Sequence, residues 1–600
     1  MSVTRQELLR LFSKPLPSSR TGVFYNTFSY QTKISPESIG VYIAAITNPG
    51  DTIIDTFGGS GSTAVAALLC EHPTELMKCL AQELGVHPKW GPRNAVLYEL
   101  GTYGSFATRT LTNRLAASDY KTAVDDFLKK AEALTAGLYD AIDPTGAVGT
   151  IRYVLWSEYI KCPHCGKEMS YFECCTSRNP VVFKEVVSCP SCGTTSSIDT
   201  CSPVIEEYFD RLLKRRIQRK KRAIAWVYGQ TGNWKWDRPV NESDEAFLSR
   251  INRLPFDKND APRMIQWGDL WRSGYHLGIT HLHHFYTQRN YIVMDRLWRL
   301  ASTYEGNVAD ALHLLLLSYN ASHCTMMTRV VAKKNSKDFV LTGAQSGVLY
   351  ISRIPVEKNI LSGLKRKAKP FYEAYQLLET CSGRIVINNS SSEELQECSA
   401  SIDYAFTDPP FGDFIPYAEV NQINELWLPK LTDRGKELII SSAQGKGVDK
   451  YCAMLGRVFS EIARVLKPER FATIVFHAAK ANVWNAFGDA IDKSGLNICL
   501  TTILNKTQSS FKQIVSPDSV QGDPMLLLKK TRRVQHGKDH PQDRVLEKMI
   551  ESIHGSEEVD ERRVYSLYVN TCLKSGVPIL FDAKEAYRKI EEKMAGSRHD

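Results

Sequence analysis

The segment Ala400-Ser-Ile-Asp-Tyr-Ala-Phe406 runs directly into Thr407-Asp408-Pro409-Pro410-Phe411. The apolar, β-prone residues before Thr407 predict a buried parallel strand, and the loop after it carries an acid, two prolines and an aromatic ring. At the carboxyl end of such a strand these residues have a chemical use. Asp408 can accept a hydrogen bond from an exocyclic amino group. Pro409 and Pro410 lack N–H groups and stiffen the loop, so that nearby carbonyls are presented as further acceptors. Phe411 offers a face on which a planar base can stack. A strand end closed by a Pro-Pro turn would leave the same trace, so the loop needs support from elsewhere in the chain.

That support lies far upstream. Thr52-Ile-Ile-Asp55 reads as a short buried strand, Thr56-Phe-Gly-Gly-Ser-Gly-Ser-Thr63 as a glycine turn, and Ala64 to Leu69 as a helix. Strand, glycine turn and helix bring a backbone close to a nucleotide-like ligand beneath a helix N-terminus. The spacing Gly59-x-Gly61-x-x-Ala64 also fits a dinucleotide site. A further strand, Asn94-Ala-Val-Leu-Tyr-Glu99, ends in an acid that takes ribose hydroxyls in either ligand class, or that is simply solvated.

Phe57-x-Gly59-x-Gly61 together with Asp408-Pro-Pro-Phe411 resembles the DNA amino-methyltransferase family, which uses S-adenosylmethionine to methylate adenine N6 or cytosine N4. The resemblance covers residues 24–110 and 384–530. It implies a Rossmann-like class I methyltransferase sheet of α/β type, interrupted by a long insertion that holds a zinc ribbon and a mixed target-recognition region. It further implies catalytic roles for Asp408, Pro409, Pro410 and Phe411, and cofactor contacts from Asp55, Phe57, Gly59, Gly61 and Glu99. Lys33, in Gln31-Thr-Lys-Ile-Ser-Pro36, lies in a segment similar to the one that helps hold the methionine end of the cofactor. Ile34 and Thr56 stand where the family commonly has proline, and Asn389 stands where it often has an acid facing the adenine. The expected reaction is methylation of a flipped base in double-stranded DNA, adenine N6 ahead of cytosine N4. The expected setting is bacterial DNA modification, restriction-modification or phage defence, with a restriction or defence partner protein. The alternatives are an RNA or protein-amide methyltransferase and a non-catalytic, zinc-bearing DNA-binding subunit.

Between the two halves, Cys162-Pro-His-Cys165-Gly is matched by Cys189-Pro-Ser-Cys192-Gly. Two such knuckles supply four thiolates for a structural zinc ion; four cysteines leave no open position for catalysis. Cys174, Cys175 and Cys201 lie close enough in sequence to exchange with them. Next comes the most basic run, Leu212 to Arg222, with Arg219, Lys220, Lys221 and Arg222 as candidate DNA contacts and Trp226, Tyr228, Trp234 and Trp236 as interleaved rings. Its alternative is a solvated helix face. His281, His283 and His284 have no accompanying carboxylate pattern, so they read as structural or DNA-contacting. Lys365-Arg-Lys-Ala-Lys369 is a second basic cluster.

Six hundred residues, 43% hydrophobic and 24% charged, suit several structural units in a soluble protein, and a net charge of +9 suits a polyanionic partner. Fifteen scattered cysteines fit a reducing compartment. The first residues lack the apolar core of a signal peptide and no apolar run spans a bilayer, so no membrane partner is expected. The expected location is the bacterial cytoplasm, nucleoid-associated. The expected units are residues 1–115 (cofactor loop), 116–205 (helical segment and ribbon), 206–380 (target recognition), 381–530 (catalytic loop) and 531–600 (charged helical tail).

Overall fold

In the computed structural model, the described residues are 3–14, 16–18, 21–257, 261–506, 523–530, 545–546 and 561–596. Their centre is a sheet whose strands come from both ends of the chain. In chain order these are β1 (Leu16–Ser18), β2 (Thr52–Asp55), β3 (Asn94–Tyr98), β4 (Ile385–Asn388), β5 (Ile402–Thr407), β6 (Leu466–Val475), β7 (Leu496–Lys506) and β8 (Asp523–Lys530). Among the described residues they lie in the order β1-β7-β8-β6-β5-β2-β3-β4. All neighbours are parallel except at β8, which runs antiparallel to both β6 and β7.

The central strand β5 is buried along its whole length, as a parallel strand covered on both faces requires. The apolar run Met525-Leu-Leu-Leu528 shows how one sequence serves two faces. Met525 and Leu527 join the core shared with helices Pro36–Ile46, Ser62–Leu69 and Ile360–Leu378. Leu526 and Leu528 join the opposite core, with helices Val448–Val465 and Ala481–Ser494. This is the two-residue period of a strand read out in burial. The second core also takes in Tyr565, Tyr568, Val569, Ala586 and Ile590 from the tail helices Glu561–Ser575 and Ala583–Gly596. The tail is fastened by Asn485, whose amide donates to the Ile579 carbonyl at 3.0 Å and whose Oδ1 accepts from the Ile579 N–H at 2.8 Å.

The middle of the chain builds a second sheet around the long strand Val148–Lys161. It pairs with Asp140–Ile142, Glu168–Ser170, Ser202–Pro203, Arg222–Thr231 and Val356–Lys358, and Trp234–Pro239 extends it. Residues on both sides of the expected 205/206 partition therefore share one sheet, and strand structure begins at Asp140 where a helical segment was expected. Helix Ile360–Leu378, assigned by sequence to the recognition unit, packs in the first core. No described helix is long and apolar enough to cross a membrane.

Phe476 and Phe487 stack with centroids 4.1 Å apart, both fully buried between the main sheet and helix Ala481–Ser494. Replacing Phe487 with alanine should lower stability by about 3–5 kcal/mol, through lost burial plus a cavity. A urea titration followed by tryptophan fluorescence would show the transition moving to lower denaturant; an unmoved midpoint would mean that this layer is not packed as described.

Candidate active site

The ends of β2 and β5 are locked together by the carboxylate of Asp55. Its Oδ1 accepts from the Phe57 N–H at 3.0 Å and the Thr407 hydroxyl at 2.9 Å, and its Oδ2 from the Thr63 hydroxyl at 2.6 Å. Thr56 and Thr407 hydroxyls meet at 3.0 Å. Burial raises the Asp55 pKa, against the hydrogen bonds that lower it. Asp55 thus spends its acceptors on holding the two loops side by side, with its side chain at the floor of the cavity they enclose.

The glycine turn is shaped by its neighbours. Gly59 and Gly61 have φ of +50° and +79°, conformations that side chains rarely adopt. A Cβ at Gly61 would also fall 2.4 Å from Cγ2 of Thr108, on helix Thr102–Thr112. Glu99, just beyond β3, accepts from the Gly59 N–H with Oε2 and from the Gly101 N–H with Oε1, each at 2.6 Å. Burial pushes its carboxyl up to about 7 despite those two donors, with Asp55 and Glu425 adding to the rise. Asn389 does not line the cavity; its amide donates to the Glu99 and Leu100 carbonyls at 2.9 and 3.0 Å and so holds the loop that carries Glu99. Ser391, Ser392 and Glu393 line that wall instead, and the Ser392 hydroxyl bonds the Thr56 carbonyl.

The cavity enclosed by these loops holds about 1040 Å³ including its open mouth, at the upper end of the range for small-molecule sites. Lys33, Asp55, Phe57, Gly59, Glu99, Asp408 and Pro410 line it. Pro409 and Phe411 do not. Phe411 is 7% exposed and packs edge-on against Phe476 at 5.7 Å, so the ring assigned to a base is part of the core. The reason is local: Gly412 adopts φ +64° and its N–H turns back to the Pro410 carbonyl at 3.1 Å, which folds the loop inward. The rings that do face the cavity include Tyr30 and Tyr417, stacked with centroids 6.3 Å apart and planes 24° from parallel. The Tyr417 hydroxyl meets that of Thr32 at 2.9 Å; burial and the nearby Asp408 carboxylate both oppose its ionisation. Sequence reading missed Tyr30 as a site residue, along with Thr432, Lys436 and Glu437 from the segment after helix Tyr417–Glu425. Gln31 Oε1 is buried in the cavity wall without a hydrogen-bond donor.

The ribbon cysteines converge as their spacing implies. Cys162 and Cys192 sulfurs are 3.8 Å apart and Cys165 and Cys189 sulfurs 3.7 Å, and all four lie within 4.8 Å of one another. A tetrahedron with Zn–S of about 2.3 Å has edges of roughly 3.8 Å, so the set fits zinc. The knuckles share one geometry: the N–H of Gly166 or Gly193 returns to the carbonyl of the first cysteine, and both glycines have φ near +72°. Cys175 and Cys201 are packed in the ribbon core and Cys174 lies against it; none of the three joins the sulfur cluster.

The basic run departs from expectation. It forms a strand, Arg215–Lys220, paired with the acidic strand Ile205–Asp210, not a helix face. Arg219 bonds Glu206 at 2.8 Å, Lys221 bonds Glu168 at 2.8 Å, and Lys220 and Arg222 share Glu158 at 3.5 and 2.5 Å. Each of these four cations therefore faces a carboxylate before any phosphate is present. The rings beyond it are largely structural too. Trp236 is buried over Gly229, where a Cβ would fall 2.1 Å from the indole, and Tyr228 stacks on Tyr153 at 4.2 Å. The histidines do have a carboxylate, supplied from a distant strand: Asp210 meets His283 and His284 Nε2 at 2.8 and 2.7 Å. His284 Nδ1 accepts from the Thr280 and His281 amides, so its proton sits on Nε2 and points at Asp210. A ring so arranged is a hydrogen-bond donor and not a metal ligand.

Residues 8–72 match the family model described as DNA methylase, a stretch that includes Lys33 and the glycine turn. The match supports methyltransferase activity. No curated protein matches the chain. Solved structures similar to part of it include the antibiotic-resistance methyltransferase Kmr (13% identity, covering 26% of this chain and 70% of that one, TM-score 0.15). Others are a SAM-dependent methyltransferase from Methanosarcina mazei (11%, covering 28% and 79%, TM-score 0.16) and a mutant 16S rRNA adenine-N1 methyltransferase from Catenulisporales acidiphilia (11%, covering 28% and 74%, TM-score 0.15). Likenesses at these scores carry no argument about the whole chain.

Proposed function

We propose that this chain is an S-adenosylmethionine-dependent DNA methyltransferase that modifies an exocyclic amino group, adenine N6 ahead of cytosine N4, in bacterial DNA modification. The observation that carries the reading is the shared cavity, into which the N-terminal half sends Glu99 and the glycine turn and the C-terminal half sends Asp408. The strand order, with one antiparallel strand beside β6, is consistent with the class I sheet that the motifs resemble.

The donor set suits the cofactor. Glu99 offers a carboxylate to ribose hydroxyls, Gln31 Oε1 is an unfilled acceptor, and the turn at Gly59 lets backbone approach closely. The cofactor supplies an electrophilic methyl group on a sulfonium. Asp408 would accept a hydrogen bond from the target amino group, which localises a lone pair otherwise delocalised into the ring, and is placed to receive the proton released on methylation. The Pro410 carbonyl already accepts from the Tyr451 hydroxyl at 2.6 Å and Pro409 does not line the cavity, so the acceptor role rests on Asp408. Tyr30 and Tyr417 take over the stacking role first given to Phe411, for a base that has left the duplex. Zinc would be held by Cys162, Cys165, Cys189 and Cys192 in a structural role. An RNA or protein-amide substrate is separated from DNA by incubation of each with labelled cofactor.

Asp408→Ala should lower methyl transfer by about a hundredfold or more, with cofactor affinity within a few-fold of wild type. Retention of a tenth of the activity would remove the assignment. Cofactor affinity should rise with pH up to about 7 and then level off, because the ribose hydroxyls need an ionised Glu99 and its carboxyl is held near that value. Below that pH, binding should release a proton; calorimetry in two buffers of different ionisation enthalpy would detect it, and Glu99→Gln should abolish the dependence. Elemental analysis of chain purified without chelator should give one zinc per chain. Cys189→Ser should lose it without moving the urea transition of the main sheet, since the ribbon has its own core.

A further inference from the structure

The basic cluster at 365–369, unlike the basic hairpin, contributes to a set of cations that, among the described residues, forms no ion pair with a carboxylate. Lys33 Nζ donates to the Phe24 and Phe28 carbonyls at 2.7 and 3.5 Å and lies 4.2 Å from the Phe28 ring centroid. Lys367 Nζ donates to the Asn26 and Thr27 carbonyls at 2.7 and 3.2 Å. Lys358 Nζ meets His323 Nδ1 at 3.0 Å, which requires that ring to be neutral, and the His323 ring packs on Tyr319 at 4.7 Å, where Arg366 also lies. Among the described residues none of the four is within ion-pair distance of an acid, whereas their neighbours Lys365 and Lys369 pair with Glu132 and Glu373. Glu37 is the carboxylate closest in influence to Lys33, and its Oε2 accepts from the Ser35 hydroxyl at 2.6 Å. Burial first, and then each other's charge, lowers Lys33 to about 7 and Lys358 to about 8, and holds His323 down to about 3.

Capping of the one-turn helix Val23–Thr27 explains where two of the ammonium groups find acceptors. It does not offset Lys358, Lys367 and Arg366 together with a partly charged Lys33, because a helix C-terminus carries only about half an elementary charge. The set begins at the cavity, which Lys33 lines, and reaches the surface at Arg366. Ser29 and Ser322, next in sequence to Phe28 and His323, bring their hydroxyls within 3.0 Å of each other. An anionic ligand that runs on from the cavity at Lys33 to the exposed Arg366 would meet this set.

We propose that Lys33, Lys358, Arg366 and Lys367 form the track for the phosphodiester backbone of the DNA strand whose base enters the cavity. This rests on the DNA methyltransferase reading and specifies where the strand lies. Phosphate contacts of this kind set register without reading sequence.

The test is binding of a fluorescent DNA duplex by the full-length chain, measured by anisotropy from low to high salt. Lys358→Gln with Arg366→Gln should reduce the slope of log affinity against log salt by about 2, since each lost phosphate contact removes roughly one unit. Arg366→Gln alone, at an exposed position that folding tolerates, should remove about one unit. Arg219→Gln in the paired hairpin should leave the slope unchanged. Cofactor affinity should be unaltered in all three. If wild type binds duplex and the Lys358/Arg366 variant keeps the wild-type slope, the track is wrong while the methyltransferase reading stands. If the hairpin variant alone loses slope, the strand lies there instead, and the track is again wrong. Tight cofactor binding with no affinity for duplex would overturn both, and RNA binding in its place would overturn the DNA assignment.

Discussion

The contact on which the rest depends is the buried carboxylate of Asp55 reaching the Thr407 hydroxyl across 352 residues of sequence. A buried carboxylate is costly unless each oxygen is hydrogen-bonded. Here three donors, from Phe57, Thr63 and Thr407, meet that demand, and each belongs to a different piece: the glycine turn, the helix after it and strand β5. Oδ2 depends on Thr63 alone, and Oδ1 is shared by Phe57 and Thr407. The glycine turn and the acid-proline loop are thereby held in one register at the edge of the shared cavity.

The parts of the fold set by local rules were legible. Strands β2, β3 and β5 and the knuckles at Cys162 and Cys189 declare themselves through glycines, caps and short apolar runs, whose causes lie within a few residues. What failed was set by distant partners. Arg215 to Lys220 reads as a DNA-contacting surface, or else a solvated helix face, until the acidic strand Ile205–Asp210 lies beside it, and cross-strand pairing is not written in either strand alone. Asp210 is equally invisible as the partner of His283 and His284. Asn389 sits in the right loop, but its amide is engaged by backbone that only the folded sheet brings near. Phe411 packs inward; a motif specifies which residues are present and not which way the loop turns.

Charge has a similar lesson. Two basic runs of similar appearance differ in what faces them. In the hairpin each candidate cation meets an acid, so its field is largely spent inside the protein. Around His323 the cations meet carbonyls and a neutral ring, so their field extends outward. Net charge, even per segment, does not separate these cases, because the relevant quantity is the local imbalance after pairing.

The parallel partnership of β2 with β5 also has a consequence for biosynthesis. At about 5–20 residues per second, a ribosome needs on the order of tens of seconds to make the residues between them. Throughout that interval β2 exposes an unpaired edge on the β5 side, and β1 waits even longer for β7. Such edges invite pairing with other chains. The cavity, whose walls come from both halves of the chain, is complete only once the second half has been made. A chain of this design gains its chemistry late and at once.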